Sequence, residues 1–140
     1  MIPADLSRTV QHALSEDMGS GDLTAALIPA ANRLSARIIS REKGVLCGQA
    51  YAEATFAALS PAIQINWQVA EGVTVAPDQV LCTLEGPARA VLSGERTALN
   101  FLQTLSGTAT QVRVCANALS GHKTRLLDTR KTCLLYTSPS

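Results

Sequence analysis

The sequence is short of the residues on which most self-contained chemistries depend. Of its 140 residues only His12 and His122 could carry protons near neutral pH. The four cysteines, Cys47, Cys82, Cys115 and Cys133, stand 35, 33 and 18 positions apart, with no C-x-x-C pair and no histidine at ligand spacing. Neither a zinc site nor a disulfide framework is expected from that pattern, and three of the cysteines read as small buried apolar residues. His12 falls on an amphipathic stretch where a structural part suits it better than a catalytic one, so a Ser/His or Cys/His relay has little to stand on. A surplus of one charge is missing too: twelve Lys and Arg face eleven Asp and Glu, for a net charge of +1. Non-specific nucleic-acid binding therefore has no electrostatic basis, and an anionic ligand must be held by a few placed cations. The longest charge-free stretch, 54–70, contains Pro61, Gln64, Asn66 and Gln68 and does not read as a membrane span. Asp5 and Arg8 stand near the start with no apolar stretch beside them, so no signal peptide is expected and the expected location is cytoplasmic.

What is present suffices for a core. Apolar residues make up 46% of the chain and the mean hydropathy is +0.14, in a length typical of one domain. Leu6, Val10 and Leu14 recur at four-residue spacing and predict a helix over 3–17, ended by Met18-Gly19-Ser20-Gly21. Residues 22–29 are apolar but close on Pro29, and read as a loop or a docked extended segment. Strands are expected over 34–41, where Leu34, Ala36 and Ile38 alternate with Ser35, Arg37 and Ile39, and over 45–47 after Lys43-Gly44. Residues 48–59 change to helical spacing and stop at Ser60-Pro61. The clearest strand covers 62–70, because Ile63, Ile65, Trp67 and Val69 alternate without exception against Gln64, Asn66 and Gln68. Val73 and Val75 alternate next, and 80–84 supplies another strand ending at Glu85-Gly86, so the middle of the chain reads as a sheet of hairpin-linked strands. Helical spacing returns from Pro87 to Ser106-Gly107 and again over 108–119, with Gly121 as a C-cap; the two pieces form either separate helices or one kinked near Gly107. In the second piece Ala109, Val112, Cys115, Ala116 and Leu119 share one face. A short strand is expected over 124–128.

Two clusters carry chemistry. Asp128-Thr129-Arg130-Lys131-Thr132 places adjacent cations among hydroxyls just past that strand. A guanidinium offers a planar two-pronged grip on a carboxylate or phosphate, and an ammonium adds a point charge, so the pair suits a polyanion. Gly94-Glu95-Arg96-Thr97 interrupts an apolar helical stripe with charge. On the residues alone, the first also reads as a solvated loop and the second as a surface ion pair.

The order of several motifs adds to this. Glu16-Asp17-Met18-Gly19-Ser20-Gly21-Asp22-Leu23-Thr24, Gly44-Val45-Leu46-Cys47-Gly48, Leu84-Glu85-Gly86-Pro87-Ala88-Arg89, Gly94-Glu95-Arg96-Thr97-Ala98-Leu99-Asn100, Leu105-Ser106-Gly107-Thr108-Ala109-Thr110 and Asp128-Thr129-Arg130-Lys131-Thr132 together closely resemble the quinolinate phosphoribosyltransferases, also called nicotinate-nucleotide pyrophosphorylases (carboxylating). The resemblance runs from the first helix to Thr132. It implies transfer of the phosphoribosyl group of phosphoribosyl pyrophosphate to the ring nitrogen of quinolinate with loss of carbon dioxide, giving nicotinate mononucleotide for NAD synthesis. Magnesium is implied as the ion that holds the pyrophosphate, with no metal ligand assigned on this chain. Thr129, Arg130 and Lys131 fall on substrate-binding positions, with Lys131 also the implied catalytic residue. Arg96 falls on an arginine that reaches into the active site of the neighbouring subunit, which implies a homodimer or larger homo-oligomer. The implied fold is α+β: an N-terminal α/β sandwich over 1–107, then the first helix and strand of a truncated α/β barrel over 108–132, with the site at the C-terminal end of the strand.

After Thr132 the sequence leaves the family pattern. Cys133-Leu134-Leu135-Tyr136-Thr137-Ser138-Pro139-Ser140 stands where a Pro-Gly-Leu-Arg-like segment is expected, and residues 133–140 read as a non-native tail. One strand closes no barrel, so an exposed apolar patch and an inactive isolated chain are expected. Two other readings were weighed. A same-fold paralogue associated with molybdate transport would act on another acceptor. A biotinyl- or lipoyl-like module is suggested by residues 71–85, but no lysine stands at a tight turn there.

Overall fold

The computed structural model describes residues 5–19, 21, 22, 25 and 27–127. The first predicted helix is α1 (Leu6–Met18), which buries Val10 and Leu14. Both pack against Phe101, whose ring stacks on Tyr51 at a centroid distance of 4.9 Å. The chain then turns: the Asp22 carboxylate accepts the Ala25 amide at 2.9 Å, and the Ala25 carbonyl accepts the Ile28 amide at 3.1 Å.

Strands β1 (Arg33–Ile39), β2 (Gly44–Val45), β3 (Gln64–Trp67), β4 (Thr74–Val75) and β5 (Val80–Pro87) form two antiparallel sheets. The larger has the order β1-β5-β3 and the smaller pairs β2 with β4. Register explains the alternation in the sequence. Ala36, Leu84 and Ile65 lie in one row and Ile38, Cys82 and Trp67 in another, all turned inward. The neighbouring rows, Ser35-Glu85-Gln64 and Arg37-Thr83-Asn66, lie on the opposite face.

The expectation of hairpin-linked strands is corrected here. β4 leaves β3 and β5 to pair with β2, so residues 71–85 form no hairpin, and β5 lies between two strands distant in sequence. β5 also runs past the expected stop at Glu85-Gly86, because β1 pairs with it as far as Pro87 and Gln64 of β3 faces Glu85. A turn signal yields when ladders hold both sides. Gly86 serves close packing instead: a Cβ there would stand 2.8 Å from the Ile63 side chain.

Helices α2 (Gln49–Leu59) and α3 (Ala88–Ala118) supply the second layer. Phe56, Ala52, Ala98 and Leu102 meet Leu46, Val75, Leu81, Cys82 and Leu84 in one core. Phe56 and Leu46 are each 2% exposed, and burial of each contributes about 2–3 kcal/mol. The α/β sandwich expected from the sequence is therefore present.

The two helical pieces expected on either side of Gly107 are one helix of 31 residues, about 46 Å long. An interior glycine alone costs only about 1 kcal/mol and does not end a helix. α3 runs through the expected boundary at 107/108. Its first half is core and its second half projects: Val112, on the apolar face anticipated above, is 49% exposed, and Val114, on the opposite side of the helix, 57%. Cys115 is exposed for the same reason, whereas Cys82 is buried and Cys47 half-buried. The expected strand over 124–128 is not found over 124–127, where no described strand lies alongside to pair with it; Asp128 lies outside the described residues.

Candidate functional site

The motifs meet in pairs on α3. At the end of α1, Asp17 accepts a hydrogen bond from Nη1 of Arg96 at 2.8 Å through Oδ1, and one from the Thr97 hydroxyl at 3.3 Å through Oδ2. Asp22, five residues on, accepts the Ser93 hydroxyl at 2.7 Å while its other oxygen holds the Ala25 amide. The motif spanning residues 16–24 is thus clasped onto the motif spanning 94–100. Thr97 is one of two buried polar residues among those described, and Asp17 satisfies its hydroxyl.

Arg96 keeps an exposed face. Its side chain is 75% exposed and that of Asp17 only 20%. The hydrogen bond to Asp17 holds the guanidinium pKa above its ordinary value, with the Asp17 charge second and the Asp22 charge adding to it against a small desolvation cost. The pair forms a wall between two clefts. One, of about 640 Å³, is lined by Asp17, Asp22, Glu95, Ser93, Leu99 and Gln103 among others; the second, of about 460 Å³, is lined by Glu16, Thr97, Phe101 and Thr104. Arg96, Asp17 and Asn100 border both. In the larger cleft three carboxylates face one guanidinium, so its field disfavours a polyanion unless further cations are brought to it.

The other motif pair is structural. The Thr110 hydroxyl accepts the Val45 amide at 2.9 Å, and the Ser106 hydroxyl accepts the Cys47 amide at 2.9 Å while donating to the Cys47 carbonyl at 3.1 Å. Residues 44–48 are thereby stapled to α3. Glu71 caps α2 from across the fold, accepting the Gly48 amide at 2.8 Å and the Gln49 amide at 3.1 Å. Burial, then the Glu71 hydrogen bond and charge, push the Cys47 thiol up to about 11, and burial pushes the Cys82 thiol to about 11. Neither is a thiolate near neutral pH.

Of the site residues singled out in the sequence, Arg96 is placed as described, whereas Thr129, Arg130 and Lys131 lie outside the described residues. Asp17, Asp22, Ser93 and Thr97 had no assigned part. One signal pointed to Asp17: acidic residues in the last turn of a helix oppose its dipole and are placed there for another partner.

A family model described as "Quinolinate phosphoribosyl transferase, N-terminal domain" matches residues 22–106. A quinolinate phosphoribosyltransferase [decarboxylating] of Nicotiana glauca is 37% identical over 130 residues, which is 91% of this chain and 37% of the relative. A probable nicotinate-nucleotide pyrophosphorylase [carboxylating] of Bacillus subtilis is 35% identical over 127 residues, 91% of this chain and 44% of the relative. Among solved structures, the nicotinate-nucleotide pyrophosphorylase of Francisella tularensis superposes with a TM-score of 0.90 at 40% identity, covering 96% of this chain and 48% of that one. The chain spans less than half the length of each of these three.

Proposed function

Since the chain belongs to the quinolinate phosphoribosyltransferase family, we propose that it supplies the N-terminal half of an enzyme that makes nicotinate mononucleotide from quinolinate and phosphoribosyl pyrophosphate. In that reaction the ring nitrogen forms a bond to the anomeric carbon as the bond from that carbon to pyrophosphate breaks. The carboxyl group beside the nitrogen then leaves as carbon dioxide, and the ring carbon takes up a proton. On the family resemblance, Arg130, with Thr129 beside it, binds the anionic substrates, and Lys131 binds them and serves as the catalytic residue. Arg96 reaches the site of a neighbouring subunit, so the working unit is a homodimer or larger. The cytoplasm is the proposed location; among the described residues no helix is long and apolar enough to cross a membrane.

One observation supports this reading most. Arg96 shows three quarters of its side chain to solvent and is accessible to an anion, while the three carboxylates of the cleft beside it require that further cations converge on that anion. Orientation of two polyanions by such converging cations is the main catalytic demand of the reaction. Magnesium is proposed as the companion of the pyrophosphate. Among the described residues no group of three or more His, Cys, Asp or Glu could hold a metal ion.

The test is a chimera. Residues 1–132, which keep Thr129, Arg130 and Lys131, are joined to the part of the Francisella tularensis protein that follows the matched stretch, and nicotinate mononucleotide formation is assayed. Turnover is expected, with Arg96→Ala lowering kcat/KM by about 100-fold. A folded chimera without turnover, or one indifferent to Arg96→Ala, sinks the proposal.

A further inference from the structure

We propose that Asp17 is a positioning residue for Arg96, anchored by Thr97 and gripping one end of the guanidinium so that the remainder is presented outward to an oxyanion. The inference rests on the reading of Arg96 as an anion contact and adds a second residue, on a different helix, through which that contact is set.

The asymmetry of the pair carries the argument. Asp17 is the sheltered member at 20% exposure, and Arg96 is the exposed one at 75%. Both Asp17 oxygens are committed to α3, Oδ1 to Nη1 of Arg96 and Oδ2 to the hydroxyl of Thr97. Thr97 is 3% exposed and cannot drift. The carboxylate is therefore the fixed point and the arginine the part being aimed. An exposed arginine otherwise spreads over many rotamers, and immobilising it on binding costs affinity; a fixed partner meets that cost in advance. An ordinary surface pair would leave both members exposed and loosely held. The placement of an acid in the last turn of α1, against the helix dipole, is also accounted for. The shared ligand chemistry is a multiply charged oxyanion, either a pyrophosphate or an aromatic dicarboxylate.

The experiment uses the chimera described above, which brings the remaining cations to the cleft, labelled with ¹⁵N and following the Nη signals of Arg96 by NMR. In the unmodified chimera, hindered rotation should give two resolved Nη signals that move on addition of inorganic pyrophosphate, of phthalate, or of both, and the responding arm identifies the source. Asp17→Asn should merge the two signals and weaken the anion response by about fivefold, even though a competing negative charge has been removed. Thr97→Val should give an intermediate effect. Backbone amide spectra establish that each variant is folded. If Asp17→Asn leaves two resolved Nη signals, or strengthens the anion response, the proposal is overturned and Asp17 is a bystander or a competitor. If neither anion moves Arg96 in the unmodified chimera, the anion reading fails for this chain, while merged signals in Asp17→Asn still establish the grip.

Discussion

Two glycines of the same helix should respond with opposite sign to the same substitution. At Gly94 an added Cβ would stand 2.8 Å from Cδ1 of Leu59 and 2.9 and 3.0 Å from two ring carbons of Phe56; at Gly107 it would meet nothing within 4 Å. The tip of half-buried Leu59 can yield. The Phe56 ring, 2% exposed in the centre of the core, cannot move without disturbing Ala52 and Leu102. Alanine gains about 1 kcal/mol over glycine inside a helix, and overpacking against a ring that cannot yield costs about 2–3 kcal/mol, the upper part of the ordinary range. Gly107→Ala should therefore stabilise by up to about 1 kcal/mol. Gly94→Ala should destabilise by about 1–2 kcal/mol, a separation in Tm of several degrees at this size, roughly 5–10 °C. Urea unfolding followed by the Trp67 fluorescence and by far-ultraviolet dichroism would measure both. If Gly94→Ala proves neutral or stabilising, the close approach of α2 to α3 is wrong. If Gly107→Ala destabilises, the helix is not continuous there.

Other outcomes follow from the same contacts. Ser106→Ala strands both the amide and the carbonyl of Cys47 and should cost about 1–3 kcal/mol in urea unfolding, whereas Thr108→Ala, which removes a hydroxyl bonded only within its own helix, should cost little. Glu71→Gln keeps one acceptor for the N-terminus of α2 but loses the charge, and should lower stability by about 1 kcal/mol in a salt-dependent way. The Cys82 thiol stays neutral in the fold up to about pH 11 whereas the unfolded chain ionises near 9.0. Its contribution is complete below pH 9 and is lost as pH rises towards 11, a fall of about 2 kcal/mol between pH 8 and pH 10.5 that Cys82→Ala should remove, leaving the parts due to Cys47 and Tyr51. Thiol labelling of the native chain should mark Cys115 at once and Cys82 only on unfolding.

Much of the sandwich was legible because its sheet is wetted on one face. Ile63, Ile65, Trp67 and Val69 against Gln64, Asn66 and Gln68 state a strand and its orientation at once, and half-buried and exposed residues alternate accordingly. Strand partners were not legible. Nothing in Val73-Thr74-Val75 says that it pairs with Gly44-Val45 rather than with the strand nearest in sequence; that choice is made by Ser106 and Thr110, which pin residues 45–47 to α3. Glu85-Gly86 read as a turn because composition registers the local preference and not two flanking ladders. The site was half legible for a similar reason. Arg96 stood out as a charge in an apolar stripe, whereas Asp17 lies 79 positions from Arg96 and 80 from Thr97, and only the packing of α1 on α3 brings them together.

The projecting half of α3 has a consequence for amide hydrogen exchange. From Val91 to Leu102 its backbone bonds lie in the core, and their exchange should require global unfolding. Beyond Thr110, whose hydroxyl bonds residue 45, the hydrogen bond shown among the described residues from the outer turns of the helix to the body is the one from Arg113 to the Gly72 carbonyl at 3.3 Å. Those outer turns rest on intrinsic helix propensity, which is marginal for so short a length in water. One continuous helix should therefore show a protection gradient falling from the global value to nearly nothing within about three turns. Any surface that comes to lie over the side carrying Val112 and Cys115 would flatten that gradient, so the amides of this single helix report whether that face is covered.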